Sequence, residues 1–122
     1  MKYLVDTNII IYYLDGNTDA IDFVLKHQHE IAISFITWIE VLSYDFSPEE
    51  EIIVKAFLGK FKLIAMTRSI MEQSVSVRKL KRIKMPDSII AASAIVHKMT
   101  VVTRNTKDFS KLGLNLLDIC SA

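Results

Sequence analysis

The sequence predicts an α/β fold in which a parallel sheet of about five strands packs against helices. Short apolar runs alternate with helix-length amphipathic segments, a pattern typical of parallel sheets. Hydrophobic residues make up 51% of the 122 residues and charged residues 24%, which excludes intrinsic disorder. The 3 glycines and 2 prolines are too few for a turn-rich all-β sandwich. No linker or repeat divides the chain, so we expect a single domain over residues 1–122.

Two strands and four helices are predicted in the first half of the chain. Thr37 and Glu40 have the spacing of a capping box, which indicates that the third helix begins at Thr37. Ser47 followed by Pro48 is a stronger start signal for the fourth helix, and Gly59 marks its end. The predicted strands are 3–5 and 31–33, and the predicted helices are 7–14, 19–26, 37–44 and 48–58.

Three strands and two helices are predicted in the second half. Ser69 and Glu72 form another possible capping box, and Pro86 is suited to the first turn of the last helix. Residues 78–84 contain five cations in seven positions, at the expected end of the longer helix. The predicted strands are 61–65, 100–103 and 116–119, and the predicted helices are 69–83 and 86–96.

Charge is distributed unevenly along the chain, although the net charge is only +1. The first 60 residues carry 4 lysines and 10 acidic residues, whereas the remaining 62 carry 11 basic and 4 acidic residues. Such asymmetry is a weak indication of contact with nucleic acid, because folding can mix the two halves in space.

The compartment can be inferred from what the sequence contains. The only cysteine, Cys120, cannot form an internal disulfide, and no cluster of cysteine and histidine indicates structural zinc. The longest apolar stretches free of charge have nine residues, far fewer than the roughly 20 needed to span a bilayer. We therefore expect a cytoplasmic protein that does not enter a membrane.

Acidic residues are placed where the elements of a parallel sheet would bring them to one edge. Asp6 follows the first strand, Glu40 and Asp87 lie in the first turns of two helices, and Asn105 and Asp108 follow the fourth strand. Ligands of open parallel sheets bind outside the carboxyl ends of the strands. Carboxylate and amide oxygens suit Mg²⁺ or Mn²⁺, so the sequence indicates a divalent-metal site.

Each of these residues also has a purely structural interpretation, which the sequence leaves open. Asp6 is a good helix N-cap, Glu40 completes a capping box, and Asp87 suits a helix dipole. Asn105 and Asp108 are common turn formers, and the basic run at 78–84 could be a solvated helix face. The convergence of several carboxylates favours a metal site, because without a cation they would repel one another.

Four sequence blocks together closely resemble a PIN domain, and more narrowly the VapC-type toxins of bacterial and archaeal toxin–antitoxin pairs. The blocks are LVDTN at 4–8, SFITWIEVL at 34–42, DSIIAASA at 87–94 and VTRNTKDF at 102–109. They occur in the family's order and span nearly the whole chain. The resemblance implies a PIN-like three-layer α/β/α fold and a metal-dependent endoribonuclease.

The resemblance assigns catalytic roles to individual residues. The family's acids carry over to Asp6, Glu40 and Asp87, and its fourth position, often Asp in relatives, holds Asn105 here. An amide can ligate a metal but cannot act as a base, so Asp108 is the candidate for the missing negative charge. The predicted metal ligands are therefore Asp6, Glu40, Asp87 and Asp108, with Asn105 as a further catalytic residue.

Residues around these acids have predicted supporting roles. Asn8 and Thr103 are candidates to orient the acids. Arg82, Lys84 and Arg104 are candidate contacts for RNA phosphates. The implied chemistry is attack by a metal-activated water, which leaves a 5′-phosphate and a 3′-hydroxyl.

The predicted partners are an RNA substrate, a cognate antitoxin and a second copy of the chain. The apolar segment 31–46 is the expected source of the dimer surface, because its Phe35, Trp38, Tyr44 and Phe46 are too many to assign to one core. The main alternative is a PIN-fold binding module with little or no activity. An aspartyl-phosphate enzyme, a phosphotransfer receiver and a nuclease acting on DNA fit the sequence less well.

Overall fold

The centre of the molecule is a five-stranded sheet in which all the strands are parallel. The computed structural model describes residues 2–120. The strands are β1 (Tyr3–Val5), β2 (Ile31–Ser34), β3 (Lys62–Ile64), β4 (Thr100–Val102) and β5 (Leu116–Leu117), in the order β3-β2-β1-β4-β5. The prediction of a parallel sheet with about five strands is confirmed.

Seven α-helices connect and cover these strands within the described residues. They are α1 (Thr7–Leu14), α2 (Thr18–His27), α3 (Phe35–Leu42), α4 (Pro48–Leu58), α5 (Arg68–Leu80), α6 (Met85–His97) and α7 (Thr106–Phe109), and a 3₁₀ turn spans Gln28–Glu30. Between residues 2 and 120, no helix combines the length and the apolar character that crossing a membrane would require.

The two faces of the sheet are covered by different helices. Leu4 and Val101 face a core built with α5 and α6, whereas their neighbours Val5 and Val102 face a core built with α1, α2 and α4. Side chains alternate between the two faces of a strand, so β1, β2 and β4 each contribute to both cores. The predicted three-layer α/β/α architecture is confirmed.

Helix α3 begins two residues earlier than the sequence predicts. Ser34, the last residue of β2, is its N-cap, and the Ser34 hydroxyl accepts a hydrogen bond from the backbone N–H of Ile36 (3.1 Å). Thr37 is therefore a buried residue inside the helix, and the predicted capping box between Thr37 and Glu40 is wrong. The Glu40 side chain is consequently not committed to capping.

Helix α5 also differs from its prediction at both ends. Thr67 caps it by accepting a hydrogen bond from the N–H of Ile70 (3.2 Å), so the predicted capping box at Ser69 is wrong. The helix ends at Leu80 instead of residue 83, and Lys81 has an extended backbone. Residues 81–84 thus form a linker, so the prediction that the helix continues through 81–83 is wrong and this part of the basic run is not on a helix.

The sheet has a topological switch point between its two central strands. The chain builds β2 and β3 on one side of β1 and then crosses to build β4 and β5 on the other. The backbone N–H of Asp6 donates to the carbonyl of Val102 (2.9 Å), which ties the ends of β1 and β4 together. Such switch points form a crevice at the carboxyl ends of the strands, where ligands bind.

Candidate active site

A cavity of about 630 Å³ opens at this switch point and gathers most of the predicted catalytic residues. Its walls come from the N-terminal turns of α1 and α6, from the C-terminal part of α3, and from the loop after β4. The predicted residues that line it are Asp6, Asn8, Glu40, Asp87 and Asn105. The structure therefore brings together groups that lie up to 99 positions apart in the sequence.

Asp6 lies deepest in the cavity, with only 4% of its surface exposed. One carboxylate oxygen accepts a hydrogen bond from the backbone N–H of Thr7 (2.8 Å), and the other accepts one from the Thr103 hydroxyl (2.7 Å). Burial raises the pKa of Asp6 to about 6, the two hydrogen bonds oppose this shift, and the nearby charges of Asp87 and Glu40 add to it. Asp6 is thus both the N-cap of α1 and an acid of unusually high pKa.

A chain of hydrogen bonds holds Asp6 between β1 and β4. The buried hydroxyl of Thr103 accepts from the Asn8 side-chain amide (3.4 Å) and from the Asn105 backbone N–H (2.9 Å) while donating to Asp6. The side-chain carbonyl oxygen of Asn8 accepts a hydrogen bond from the backbone N–H of Arg104 (3.3 Å). Thr103 therefore contacts Asp6 directly, whereas Asn8 is linked to Asp6 only through Thr103.

Glu40 is held at the cavity wall by a hydroxyl from another helix. The Thr7 hydroxyl donates to a Glu40 carboxylate oxygen (2.6 Å) and lies 3.0 Å from the Thr37 hydroxyl. A hydroxyl has a single proton, so Thr37 must be the donor to Thr7. This relay from α3 to α1 and back was not predicted, although Thr7 and Thr37 both lie in the sequence blocks that resemble a PIN domain.

Asp87 lies half-buried in the first turn of α6. Burial raises the pKa of Asp87, the negative charges of Asp108 and Glu40 add to this shift, and Lys84 opposes it. The pKa values of Asp6 and Asp87 are thus raised mainly by burial, and neighbouring carboxylates add to both shifts. The ion pairs within residues 2–120 are His27–Glu30 and Arg104–Asp118, so no cation forms an ion pair with either acid.

Asn105 and Asp108 take different positions around the acids. Asn105 lines the main cavity, whereas Asp108 lies in α7 and lines a neighbouring cavity of about 350 Å³. Asp87 borders both cavities, and Arg82 and Lys84 line the smaller one. The charge of Asp108 therefore raises the pKa of Asp87 from the side of the smaller cavity, and Asp108 does not line the main cavity.

The donor chemistry around the main cavity fits a hard divalent cation. Three carboxylates and two amides supply oxygen atoms of the kind that Mg²⁺ and Mn²⁺ prefer as ligands. In the part of the chain that the structure describes, however, no group of three or more His, Cys, Asp or Glu side chains lies close enough together to form a metal centre. The acids line one cavity and affect one another electrostatically, but they do not form a preassembled set of metal ligands.

The predicted phosphate-binding cations differ in their surroundings. Arg82 and Lys84 are exposed on the linker beside Asp87. The Arg104 guanidinium pairs with Asp118 (3.5 Å) and lies 5.6 Å from the centre of the Tyr12 ring. All three cations therefore stand close to residues that line the two cavities.

The PIN domain profile matches residues 3–114, which is most of the chain and includes every residue that lines the two cavities. The chain belongs to the PIN domain family. No curated protein sequence is similar enough to count as a match.

Solved structures of related assemblies contain chains with the same fold. A chain in a toxin–antitoxin complex from Klebsiella pneumoniae is 33% identical, with a TM-score of 0.89 and coverage of 99% of this chain and 100% of that one. A chain of VapBC2 from Rickettsia felis bound to a promoter DNA fragment is 25% identical (TM-score 0.81, coverage 96% and 98%). A chain of DNA-bound VapBC from Salmonella typhimurium is 21% identical and shows the fold alone (TM-score 0.86, coverage 98% and 99%). The family match and these neighbours support a place among the toxin nucleases with a PIN domain.

Proposed function

We propose that this protein is a Mg²⁺- or Mn²⁺-dependent endoribonuclease and the toxin of a toxin–antitoxin pair. It hydrolyses RNA phosphodiester bonds and leaves 5′-phosphate and 3′-hydroxyl ends. The observation that carries the proposal is the meeting of Asp6, Glu40 and Asp87 in one cavity, where the pKa of Asp6 rises to about 6. Concentrated carboxylates at a switch point are suited to a divalent cation and an anionic substrate.

Asp6, Glu40 and Asp87 are the proposed metal ligands, and Asn105 is a neutral oxygen donor beside them. A bound divalent cation would lower the pKa of a water and offset the charge that develops on the phosphate. Asp108 adds negative charge from the smaller cavity. The Asn105 amide cannot accept a proton at neutral pH, so it orients the site without acting as a base.

The other residues of the site fix the acids and attract the substrate. Thr103 and the N–H of Thr7 each hold one oxygen of Asp6, and the Thr7 hydroxyl holds Glu40. Both acids thereby keep a defined orientation before substrate arrives, which lowers the cost of assembling the site. Arg82 and Lys84 line the smaller cavity beside Asp87, and Arg104 lies beside Tyr12 of the main cavity, so all three are proposed contacts for RNA phosphates.

The proposal is tested by cleavage of a labelled single-stranded RNA in Mg²⁺ or Mn²⁺. Asp87→Asn should abolish cleavage while leaving the fold intact, because Asn can stay in the first turn of α6 and the change relieves repulsion among the acids. Asp22→Asn, at an exposed acid of α2 remote from both cavities, is the matched control and should cleave like the natural sequence.

The chemistry of the new ends separates this reaction from metal-free ribonucleases. The products should carry a 3′-hydroxyl that a poly(A) polymerase can extend, and chelation by EDTA should stop the reaction. A cyclic 2′,3′-phosphate end, cleavage in EDTA, or full activity of Asp87→Asn would contradict the proposal.

A PIN-fold binding module without catalysis is the second candidate, and the neutral Asn105 in the main cavity favours it. Such a module would bind RNA or a protein partner and show no cleavage with either metal. Saturable RNA binding by the natural sequence, together with intact substrate after prolonged incubation in Mn²⁺, would establish it.

We also propose an antitoxin and a second copy of the chain as protein partners. Large apolar side chains are exposed on two surfaces away from the acids. Ile52 and Ile53 of α4 are 70% and 69% exposed, and Val75 of α5 is 54% exposed. Exposed apolar patches of this kind mark interaction sites in soluble proteins.

A further inference from the structure

One half of the main cavity is apolar, and the proposed hydrolysis does not use it. Besides the acids and amides, Ile11, Tyr12, Ile39 and Tyr44 line the cavity. Ile39 and Tyr44 are 55% and 54% exposed, so the protein leaves this wall uncovered. We call these four residues the apolar wall.

Two elements bring the tyrosines of the apolar wall to the polar centre. Tyr44 lies two residues beyond the end of α3, the helix that carries Glu40, and lines the cavity from there. In α1, Tyr12 follows Asn8 by four positions, so the two residues share one helix face and are separated by about 5–6 Å. The Tyr12 side chain therefore lies about one helical turn beyond a polar residue of the site.

This spacing matches the layout of a nucleotide. A base is joined to its phosphate through one sugar, a separation comparable to the 5.4 Å rise of a helical turn. A phosphodiester held at the acids would thus place the neighbouring base near the apolar wall. Aromatic rings bind bases by stacking, and they do so for bases that are free of a duplex.

We propose that the apolar wall is a base-binding subsite that stacks an unpaired nucleobase next to the cleaved phosphodiester. This inference rests on the proposed function and specifies its substrate as RNA that is single-stranded at the cut. Tyr12 and Tyr44 supply the aromatic surfaces, and Ile11 and Ile39 supply the apolar floor between them and the acids. Arg104, whose guanidinium lies 5.6 Å from the Tyr12 ring, is placed to meet a phosphate flanking the stacked base.

The size of the cavity supports this occupant over a metal ion alone. A volume of about 630 Å³ lies within the range of pockets that hold whole small molecules, far beyond what one or two cations fill. The apolar wall and the carboxylates also line one continuous cavity. A stacked base would therefore lie on the path of the scissile strand.

Binding measurements on an inactive background test the subsite. Asp87→Asn in Mg²⁺ is titrated with fluorescein-labelled RNA hexamers by anisotropy. One hexamer is an oligoadenylate and the other has the same backbone without bases. The oligoadenylate should bind about 5- to 150-fold more tightly, the range expected for one base stacked on an aromatic ring. A blunt RNA duplex without a loop, whose bases are all paired, should behave like the base-free strand.

Substitutions at the wall show whether these tyrosines carry the preference. Tyr44→Leu and Tyr12→Leu should each reduce the ratio between the two hexamers, and Tyr44→Phe should preserve it because the ring remains. Tyr13→Leu is the matched control, since Tyr13 stacks on Phe57 (4.4 Å between ring centres) outside this cavity. Thermal unfolding of each variant verifies that it folds.

The outcomes separate this inference from the proposed nuclease function. Equal affinity for the two hexamers, no measurable binding of either, or tyrosine variants that weaken both equally would overturn the subsite. Loss of affinity for an antitoxin in Tyr44→Leu with an unchanged hexamer ratio would assign the wall to a protein and also overturn it. If the natural sequence never cleaves RNA but the base preference stands, the nuclease proposal fails and the subsite survives.

Discussion

Asp6 shows how one residue can serve the fold and the site together. Its carboxylate caps α1 by accepting from the N–H of Thr7, and it also receives the Thr103 hydroxyl at the end of β4. These two bonds favour the ionised form, yet burial outweighs them and the pKa rises to about 6. Without a cation, the ionised carboxylate therefore costs the folded protein stability.

This cost gives the folded protein a defined pH dependence in EDTA. The folded state favours the protonated form of Asp6. The stabilisation that results is fully present below pH 3.8 and is lost as pH rises through about 6. Asp6→Asn should be more stable than the natural sequence at pH 7 by about 3 kcal/mol and should lose that advantage near pH 4.

Urea unfolding at several pH values measures this difference directly. Asp22→Asn, at an exposed acid of α2, is the control and should show no comparable change in stability between pH 4 and pH 7. A constant difference between Asp6→Asn and the natural sequence across that range would show that burial of the charge is not the cause.

Asn105 and Asp108 can be separated because they line different cavities. Asn105→Asp places a new charge among the acids of the main cavity and should tighten Mn²⁺ binding while keeping or raising RNA cleavage. Asp108→Ala removes a charge that acts on Asp87 from the smaller cavity, and should weaken Mn²⁺ affinity by roughly 10- to 100-fold, as for residues that support metal ligands.

Calorimetric titration with Mn²⁺ and RNA cleavage rates distinguish the two residues. Normal Mn²⁺ affinity and activity in Asp108→Ala would make Asp108 an ordinary surface residue of α7. Weaker Mn²⁺ binding by Asn105→Asp would show that position 105 does not contribute to a metal site.

The convergence of Asp6, Glu40 and Asp87 could be predicted because it follows from topology. Each acid lies just beyond a strand end or in a helix turn that faces the same edge of a parallel sheet. The position of Asp108 could not be predicted in the same way, since it depends on the four-residue helix α7. A helix this short leaves no periodic pattern in a sequence.

At the scale of elements, the errors in the predicted helix starts have a common cause. Ser34 and Thr67 each precede a second plausible cap, Thr37 and Ser69, by only a few residues. In both cases the glutamate three positions after the second cap made that cap look stronger in the sequence. The chain instead starts each helix at the earlier cap, and this frees Glu40 to line the cavity.

The linker after α5 holds α7 through a single side chain. The Lys81 ammonium donates to the carbonyls of Lys107 (2.7 Å) and Ser110 (3.1 Å) and to the Ser110 hydroxyl (3.2 Å). These acceptors lie at the C-terminal end of α7, where a cation is favoured by the free carbonyls. Lys81 thus fixes the turn that carries Asn105 and Asp108.

Lys81→Met should loosen α7 without unfolding the protein. We expect a loss of about 1 kcal/mol in unfolding free energy, because the ammonium is partly exposed and its hydrogen bonds compete with water. Amide exchange at Asp108 and Ser110 should accelerate, since both N–H groups bond within this turn.

Lys79→Met is the matched control, as Lys79 is an exposed lysine of α5 two positions earlier. It should leave exchange at Asp108 and Ser110 unchanged. Equal protection of α7 in Lys81→Met and the natural sequence would show that the linker of residues 81–84 and α7 are independent.

At the scale of the whole molecule, the sequence predicted the fold class better than it predicted which apolar side chains are exposed. Alternating apolar and amphipathic segments were enough for the three layers, whereas exposure depends on which helix faces remain uncovered. Segment 31–46 was the expected source of surplus apolar surface, yet Phe35, Trp38 and Phe46 are half-buried against the two cores. Of the four aromatics singled out there, Tyr44 is the exposed one, and it belongs to the cavity.

Another exposed apolar surface lies in a groove between α5 and α6. This groove has a volume of about 530 Å³, and Met71, Val75 and Met85 in its lining are 50%, 54% and 58% exposed. Methionine side chains adapt readily to a partner's shape, so the groove is suited to association. It also lies on a different part of the surface from the main cavity, so a partner there would leave the acids accessible.

We therefore expect the purified chain to be a two-fold dimer, the commonest closed assembly, with this groove at its interface. Light scattering at micromolar concentration should give about twice 13.9 kDa. Val75→Lys should shift the mass towards the monomer by burying a charge, whereas Ile52→Lys, at a 70% exposed site on α4, should leave the dimer intact. If the protein of natural sequence is a monomer, the dimer prediction is wrong. If only Ile52→Lys dissociates the dimer, the interface lies at α4 instead of the groove. Neither result would alter the nuclease proposal, because every residue that it invokes belongs to one chain.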